Sequence, residues 1–453
     1  LGSGCNLLGY YMYHGGTNPK GKLSSLQEST AVGSFCDVPE LSYDFQAPIR
    51  EYGQISETAK ELKLLSMFVH DYGETFCNMQ PQFAGNDCES TSVHTGDFQD
   101  AEDLSAFRMI TRRIGDRGYL FVNNYQRGYE MAEHKDVMLR VQTADGKISF
   151  PKQDIKNGAY FFYPFNFPLS DGVTLRWINQ TPLCNINQKL WFFYGIDKMQ
   201  YEADEKLSGQ VLISVDRTWA KCAWRMKKYP NILFFSTLPI LETENGIEVI
   251  CRSDHAQKNC WIIMDATVED VKTWIDNGWK KSDIIPDFLR VEGDASTICV
   301  LSHELSAADN QTVASFTHTD VNNCIILKEK TDFSMEEACA IDDTGKDYQE
   351  YVIRISYDKA YDAAKDNIFL RIDFQADQAE LYLNGEKIAD QYYIGDVWEV
   401  SLKRFDFPTE LILRLYPLEE DDKIYLETQP DYLNGRCCSL KDIRCVYECK
   451  EKL

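Results

Sequence analysis

A chain of 453 residues is too long for a single core, so several domains are expected. With 44% hydrophobic and 26% charged residues, its composition is that of a globular protein and excludes a disordered one. A net charge of −24 argues against nucleic acid and anionic lipid as partners; it suits a neutral ligand such as a sugar, or serves solubility alone.

The first predicted element is the apolar and aromatic run Asn6–Tyr13, which reads as a buried strand of a parallel sheet and leads into His14-Gly15-Gly16. A long loop follows, up to Ser56, a candidate N-cap. Ala59, Leu62, Leu65, Phe68 and Val69 then fall on one helical stripe, Lys60, Glu61 and Lys63 fall off it, and Gly73 is placed to end the helix. Beyond residue 105 the period changes to two. Strands are predicted at Gly118–Asn123, Val137–Thr143, Lys147–Phe150 and Val173–Ile178, with a hairpin turn at Asp145-Gly146. Further strands fall at Val211–Val215, Ile232–Phe235 and Ile247–Cys251, then a helical interlude at Val268–Trp279. The charged segment 302–346 reads as a linker. Downstream, Ile368–Phe374, Ala379–Leu383 and Glu386–Ala389 are strands, the last two joined by Asn384-Gly385, the strongest short hairpin signal. Trp398–Leu402 and Leu411–Tyr416 complete a set that suggests a jelly roll.

The fifteen cysteines are scattered, with no facing CxxC pairs, so no zinc site is expected. Cys437, Cys438, Cys445 and Cys449 crowd together and are compatible with a disulfide or with thiols, which leaves the redox compartment open. Two Asn-x-Thr sequons, at Asn179 and Asn310, are weak signals. No apolar window of about 18 residues is present to span a membrane. The sequence opens Leu1-Gly2-Ser3-Gly4, without an initiating Met or a leader, so any targeting signal is expected upstream.

The densest chemistry lies at Tyr10–Pro19. A strand ending in tyrosines, a histidine and two glycines places hydrogen-bonding groups at the carboxyl end of a sheet, where barrel enzymes carry their sites. A tyrosine ring packs on sugar C–H groups while its hydroxyl bonds a sugar oxygen. The plainer alternative is a buried aromatic strand followed by a turn. Elsewhere, Tyr382, Tyr392, Tyr393 and Trp398 either fill a sandwich core or bind carbohydrate, and Glu419–Asp422 is a solvated turn or a calcium loop. No Ser-His-Asp order, phosphate loop or dinucleotide turn is present.

Two motifs carry a resemblance. Tyr11-Met12-Tyr13-His14-Gly15-Gly16-Thr17-Asn18 resembles the last barrel strand of family 35 glycoside hydrolases. Ser42-Tyr43-Asp44-Phe45-Gln46-Ala47-Pro48-Ile49, followed by Glu51-Tyr52-Gly53, resembles that family's Ser-Tyr-Asp-Tyr-Asp-Ala-Pro loop. Gly118–Arg127 and the terminal strands also resemble the β domains of bacterial members. The resemblance implies a mainly β chain: the final β/α unit of a (β/α)8 TIM barrel at 1–80, β domains at 81–205 and 206–330, and a jelly roll at 331–453.

It further implies a retaining exo-β-galactosidase, acting on a terminal β-galactoside through two glutamates about 5 Å apart and without a metal or organic cofactor. Both glutamates belong on earlier barrel strands, so no catalytic residue is expected in this chain, and it alone is expected to be inactive. Glu28, Asp44 and Glu51 read as solvated or loop-bracing carboxylates. The carried-over substrate contacts are Tyr11, His14 and Phe45, where Phe45 stands for a tyrosine and Gln46 for an aspartate. Those changes leave the sugar open. A non-catalytic carbohydrate-binding or scaffolding role and a hydrolase for another β-linked sugar are the alternatives; a periplasmic or secreted setting is expected.

Overall fold

The protein is seen here as a computed structural model that describes residues 1–21, 38–83, 87–91, 102–170, 172–195, 197–255, 259–265, 271–282, 284–305, 327–328, 331–341, 347–357 and 366–453. At 327–328, 331–341 and 356 the description is of the backbone. The chain is mainly β. It divides into two units, each built from separate stretches: Leu1–Tyr10, Lys60–Thr237 and Asn259–Glu304 in one, Tyr11–Ala59, Leu238–Lys258 and Leu305–Leu453 in the other. These divisions do not fall at the boundaries 80, 205 and 330 drawn from the sequence. The reason is that hairpin 240–252 pairs with a strand nearly two hundred residues downstream, a long-range pairing that local pattern cannot reveal.

In the first unit the largest sheet has six antiparallel strands, in the order Tyr201–Ala203, Val173–Ile178, Ala159–Ser170, Arg117–Asn124, Arg108–Ile114 and Gln80–Phe83. Alternate residues of these strands supply two cores. Phe107, Met109, Leu120, Val122 and Phe165 face one, while Tyr119, Phe162, Phe167 and Leu175 face the other. The helix Glu57–Cys77 contributes to two cores at once. Leu64 and Met67 pack with Leu183, Phe192, Ile213 and Phe235, whereas Phe68, Tyr72 and Phe76 pack with Tyr119, Phe162 and Trp191.

This helix corrects two expectations. Ala59 and Phe68 are buried as expected, but the rest of the buried stripe is Leu64, Met67, Tyr72 and Phe76, with Leu62 and Leu65 half-buried and Val69 exposed. It also runs four residues past Gly73, because Phe76, one turn on, is held in the core among Phe68 and Tyr119. Burying a phenylalanine contributes about 1.5–3 kcal/mol, more than the roughly 1 kcal/mol that a helical glycine costs. Ser56 caps the start as expected, its Oγ accepting the Ala59 N–H at 3.2 Å.

The second unit is a β-sandwich. One sheet runs Ile240–Thr243, Gly246–Arg252, Ser439–Lys452, Asn367–Gln375 and Trp398–Ser401; the other runs Leu327–Lys328, Thr331–Ile341, Asp347–Tyr357, Glu410–Tyr416, Gln378–Leu383 and Glu386–Tyr392. Leu370, Ile372, Phe374 and Ile443 from the first meet Ile353, Leu381, Leu411 and Leu413 from the second. The Asn384-Gly385 hairpin forms as predicted, both residues with positive φ, 52° and 81°. The supposed linker 302–346 contains the strand Thr331–Ile341, paired along its length with Asp347–Tyr357. Its start, through Glu304, belongs to the strand Ile298–Glu304, and 306–326, 329–330 and 342–346 lie outside the described residues. The helical interlude is shorter than expected, Val271–Asp276, with its predicted start at 268–270 also outside them.

Candidate functional site

The predicted buried strand at Asn6–Tyr13 is instead open chain. Leu7 and Tyr11 are 89% and 88% exposed, and Leu8, Tyr10 and Tyr13 are exposed as well. A parallel strand is stable only with ladder partners, and among the described residues none flanks this run. Its beginning is fixed through Arg112, fully buried, whose guanidinium donates to the carbonyls of Leu1 (2.8 Å), Cys5 (3.0 Å) and Met79 (3.2 Å) and to the Asn6 side chain. Regular pairing begins further on. His14 bridges Ile49 in parallel, and Gly16–Thr17 pairs antiparallel with Ser42–Tyr43.

That pairing joins the two sequence motifs in the second unit. Tyr11 and Tyr43 share a hydrogen bond between their hydroxyls, and the Tyr43 and Phe45 rings meet edge to face at 4.8 Å. Hydrogen bonding to Tyr11 raises the Tyr43 phenol above its ordinary pKa. Phe45 is 51% exposed at the tip of the loop, where both it and Gln46 hold left-handed φ of 45° and 53°. Such values in non-glycine residues persist only where the surroundings fix them.

Asp44 is what fixes them. Its Oδ1 accepts the Gln46 N–H at 2.9 Å, its Oδ2 the Glu51 N–H at 2.8 Å, and Arg50 pairs with it at 2.7 Å. Gly15 lies directly against this loop: a Cβ there would sit 2.9 Å from the Glu51 nitrogen and 3.0 Å from the Asp44 Cα. Glu51, half-buried, accepts hydrogen bonds from Thr17 Oγ1 and, at 2.9 Å, from Ser42 Oγ. Burial lifts its carboxyl to about 7 against the lowering pull of those two hydroxyls. The entry to the loop is held from the sandwich by Asp390, fully buried, which accepts the backbone N–H groups of Glu40 (2.7 Å), Leu41 (3.0 Å) and Ser42 (2.8 Å). Burial pushes the Asp390 carboxyl up as well.

Beside the loop is a polar cavity of about 470 Å³, lined by Gln46, Arg50 and Glu51 on one side and Gln391, Asp396 and Glu399 on the other. Its size and its hydrogen-bonding walls suit a small polyhydroxylated molecule.

Of the three predicted contacts, the structure brings Tyr11 and Phe45 together around Tyr43. His14 is exposed, with its Nδ1 against the carbonyl oxygen of Gly15, a contact that serves the turn. The loop-bracing reading fits the geometry of Asp44 and Glu51, while Glu28 lies outside the described residues. Sequence reasoning missed Tyr43 as the linking residue and Asp390 altogether. The alternation of Tyr11, Tyr43 and Phe45 around a two-residue pairing offered a signal for the first. Asp390 offered none, since its partners are backbone groups some 350 residues away.

Other candidates resolve plainly. Trp398 and Tyr393 are buried in the sandwich core, and Tyr382 donates to Glu380 at 2.6 Å. Glu419 pairs with Arg436 at 3.1 Å across two short paired strands, and among the described residues no cluster of His, Cys, Asp or Glu could hold a metal ion. Asn179 is buried, donating to the Lys198 carbonyl and accepting from the Gln200 N–H, an environment closed to a glycan; Asn310 lies outside the described residues. No described helix is long and apolar enough to cross a membrane. Comparison with family models, curated proteins and solved structures returned no match to this chain.

Proposed function

We propose that this chain is a portion of a retaining exo-β-galactosidase of the family 35 type, and that its Tyr11–Tyr43–Phe45 cluster forms part of the wall of a galactoside pocket. The observation that carries the reading is the support given to three partly or wholly exposed aromatic side chains. Asp44, Glu51 and Asp390 brace one loop, which presents the Tyr43 and Phe45 rings, and Tyr11 is hydrogen-bonded to Tyr43. Rings fixed in advance bind a sugar face without the cost of ordering them. In this reading Tyr11–Asn18 belongs to the last strand of a TIM barrel and the sandwich is a jelly-roll accessory domain.

The catalytic glutamate pair is assigned outside these residues. Asp44 and Glu51 are engaged in backbone and hydroxyl hydrogen bonds, and neither is given a catalytic role. Phe45, which lacks the hydroxyl of the family loop, favours a β-linked sugar other than galactose as the second reading. A buried hydroxyl contact of that kind is worth roughly 1–3 kcal/mol.

Three measurements test the proposal. The chain is expected to leave an aryl β-galactoside intact, to bind methyl β-galactoside in calorimetry, and to lose that binding in Tyr11→Ala. Hydrolysis above the buffer rate sinks the assignment of the glutamates elsewhere. Binding of several unrelated sugars without hydrolysis supports a carbohydrate-binding module instead. The coding sequence preceding Leu1 should specify an Asn-Glu pair and a further Glu; their absence overturns the enzyme reading.

A further inference from the structure

The first unit contains a larger cavity than the one beside the loop, about 740 Å³, on one face of its six-stranded sheet. The strand register arranges its floor in two rows. Ile110 pairs with Phe121 and Phe121 with Phe162, giving an apolar row across three strands. Two residues along, Arg108 pairs with Asn123 and Asn123 with Tyr160, giving a polar row. Leu62 and Leu65 of the long helix, both half-buried, form one wall, and Leu65 also packs against the core that holds Phe68 and Tyr119. The chain at Gly2 lies across the far end of the apolar row, where a Cβ would sit 2.9 Å from Ile110 and from the Phe121 ring.

Charge is distributed unevenly along this cavity. At the polar end Glu61 is paired twice, with Lys221 at 2.6 Å and Arg217 at 3.2 Å, and also accepts the Tyr160 hydroxyl at 3.0 Å. The Arg217 guanidinium lies 4.6 Å over the Tyr160 ring. Arg108 donates to the neutral Gln126 amide at 2.7 Å. Asp103, which feels Arg108, is tied to Ser105 by its own hydrogen bonds, at 2.9 and 2.6 Å. Among the described side chains that line the cavity, the charged ones are Glu61, matched by Lys221 and Arg217, and Arg108, which meets a neutral amide.

From the apolar row, the enclosing leucines and the Arg108 guanidinium at the polar end, we infer that the cavity binds a monoanionic amphiphile, a chain or ring system of hydrocarbon with one carboxylate or sulfate head. The hydrocarbon lies along Ile110, Phe121 and Phe162, and the head lies at Arg108 and Tyr160. A volume of this order is that of a site for one small organic molecule. The inference rests on a different unit from the galactoside reading and stands independently of it.

Calorimetry with decanoate and with decyltrimethylammonium, both below their micellar concentrations, tests it on the whole chain. Decanoate is expected to bind one to one, at least tenfold more tightly than the cation. Arg108→Gln should weaken decanoate about tenfold, the change of about 1.4 kcal/mol expected for losing one charged contact, and should reduce the preference for the anion. Leu62→Trp, which fills the apolar end from a half-buried position, should abolish binding, with an unchanged unfolding temperature as the check on folding. Equal binding of cation and anion, undiminished binding by a folded Leu62→Trp, or no heat from decanoate at 1 mM (roughly the weakest affinity of a specific site) overturns it.

Discussion

At Asp44, three partners converge on one carboxylate that is only 6% exposed: two backbone N–H groups and the Arg50 guanidinium. Removing it leaves Arg50 with only the more exposed Asp396, at 3.6 Å, and takes the support from the left-handed pair Phe45-Gln46. Asp44→Ala is expected to cost about 3 kcal/mol, read as a lower urea midpoint at unchanged slope. Asp44→Asn, which keeps the acceptor oxygen for one N–H, should lose less. Glu51 predicts a pH dependence with a definite sign. Its carboxyl lies near 4.5 unfolded and about 7 folded, so between those values the native state holds the extra proton. Stability from this group is therefore intact below the lower value and falls as pH rises through the upper one, by at most about 3 kcal/mol. Glu51→Gln should remove that fall. Urea titrations at pH 5 and pH 8 decide it, and a wild-type-to-variant difference that is the same at both contradicts the assignment. At this scale the sequence was informative where a residue acts on its neighbours, as Asp44 does, and silent where the partner is distant, as for Asp390.

At the scale of elements, the downstream strands were the most legible, because an Asn-Gly turn and strict alternation constrain each other. The helix was legible in its existence and its cap. Ser56→Ala should lower stability by about 1 kcal/mol, measured by thermal or chemical unfolding, since the Ala59 N–H loses its acceptor. Its stripe was not legible. A helix that packs on two cores has apolar residues on two faces, and a search for one face selects a compromise between them. The aromatic run Leu7–Tyr13 shows the opposite error. Its composition suits a buried strand, but burial requires neighbours, and here the pairing begins only at His14. For the candidate site this meant that Tyr11 was expected in a setting it does not have: it is hydrogen-bonded to Tyr43 and is not held in a sheet.

For the molecule as a whole, the cysteines offer a test of which surfaces are open. Cys5 and Cys77 are exposed, whereas Cys184 and Cys299 are buried, and burial raises both of those thiols above their ordinary pKa. Brief alkylation of the native chain followed by peptide mapping should mark Cys5 and Cys77 first and leave Cys184 unmarked until denaturant is added. Early marking of Cys184 would contradict the packing of the first unit. Among the crowded cysteines, the Cys437 and Cys438 thiols donate to the carbonyls of Gln375 (3.1 Å) and Leu415 (3.5 Å), which ties that turn to the sandwich without a covalent link.

The strand Ser439–Lys452 sits between Gly246–Arg252 and Asn367–Gln375, in the middle of its sheet. A ribosome makes both of those neighbours first. Until the later segment emerges, each presents an unpaired edge, and Leu370 and Ile372 lack part of their covering. The sandwich thus cannot be completed before that segment emerges, and until then the nascent second unit exposes strand edges of the kind that invite wrong pairing.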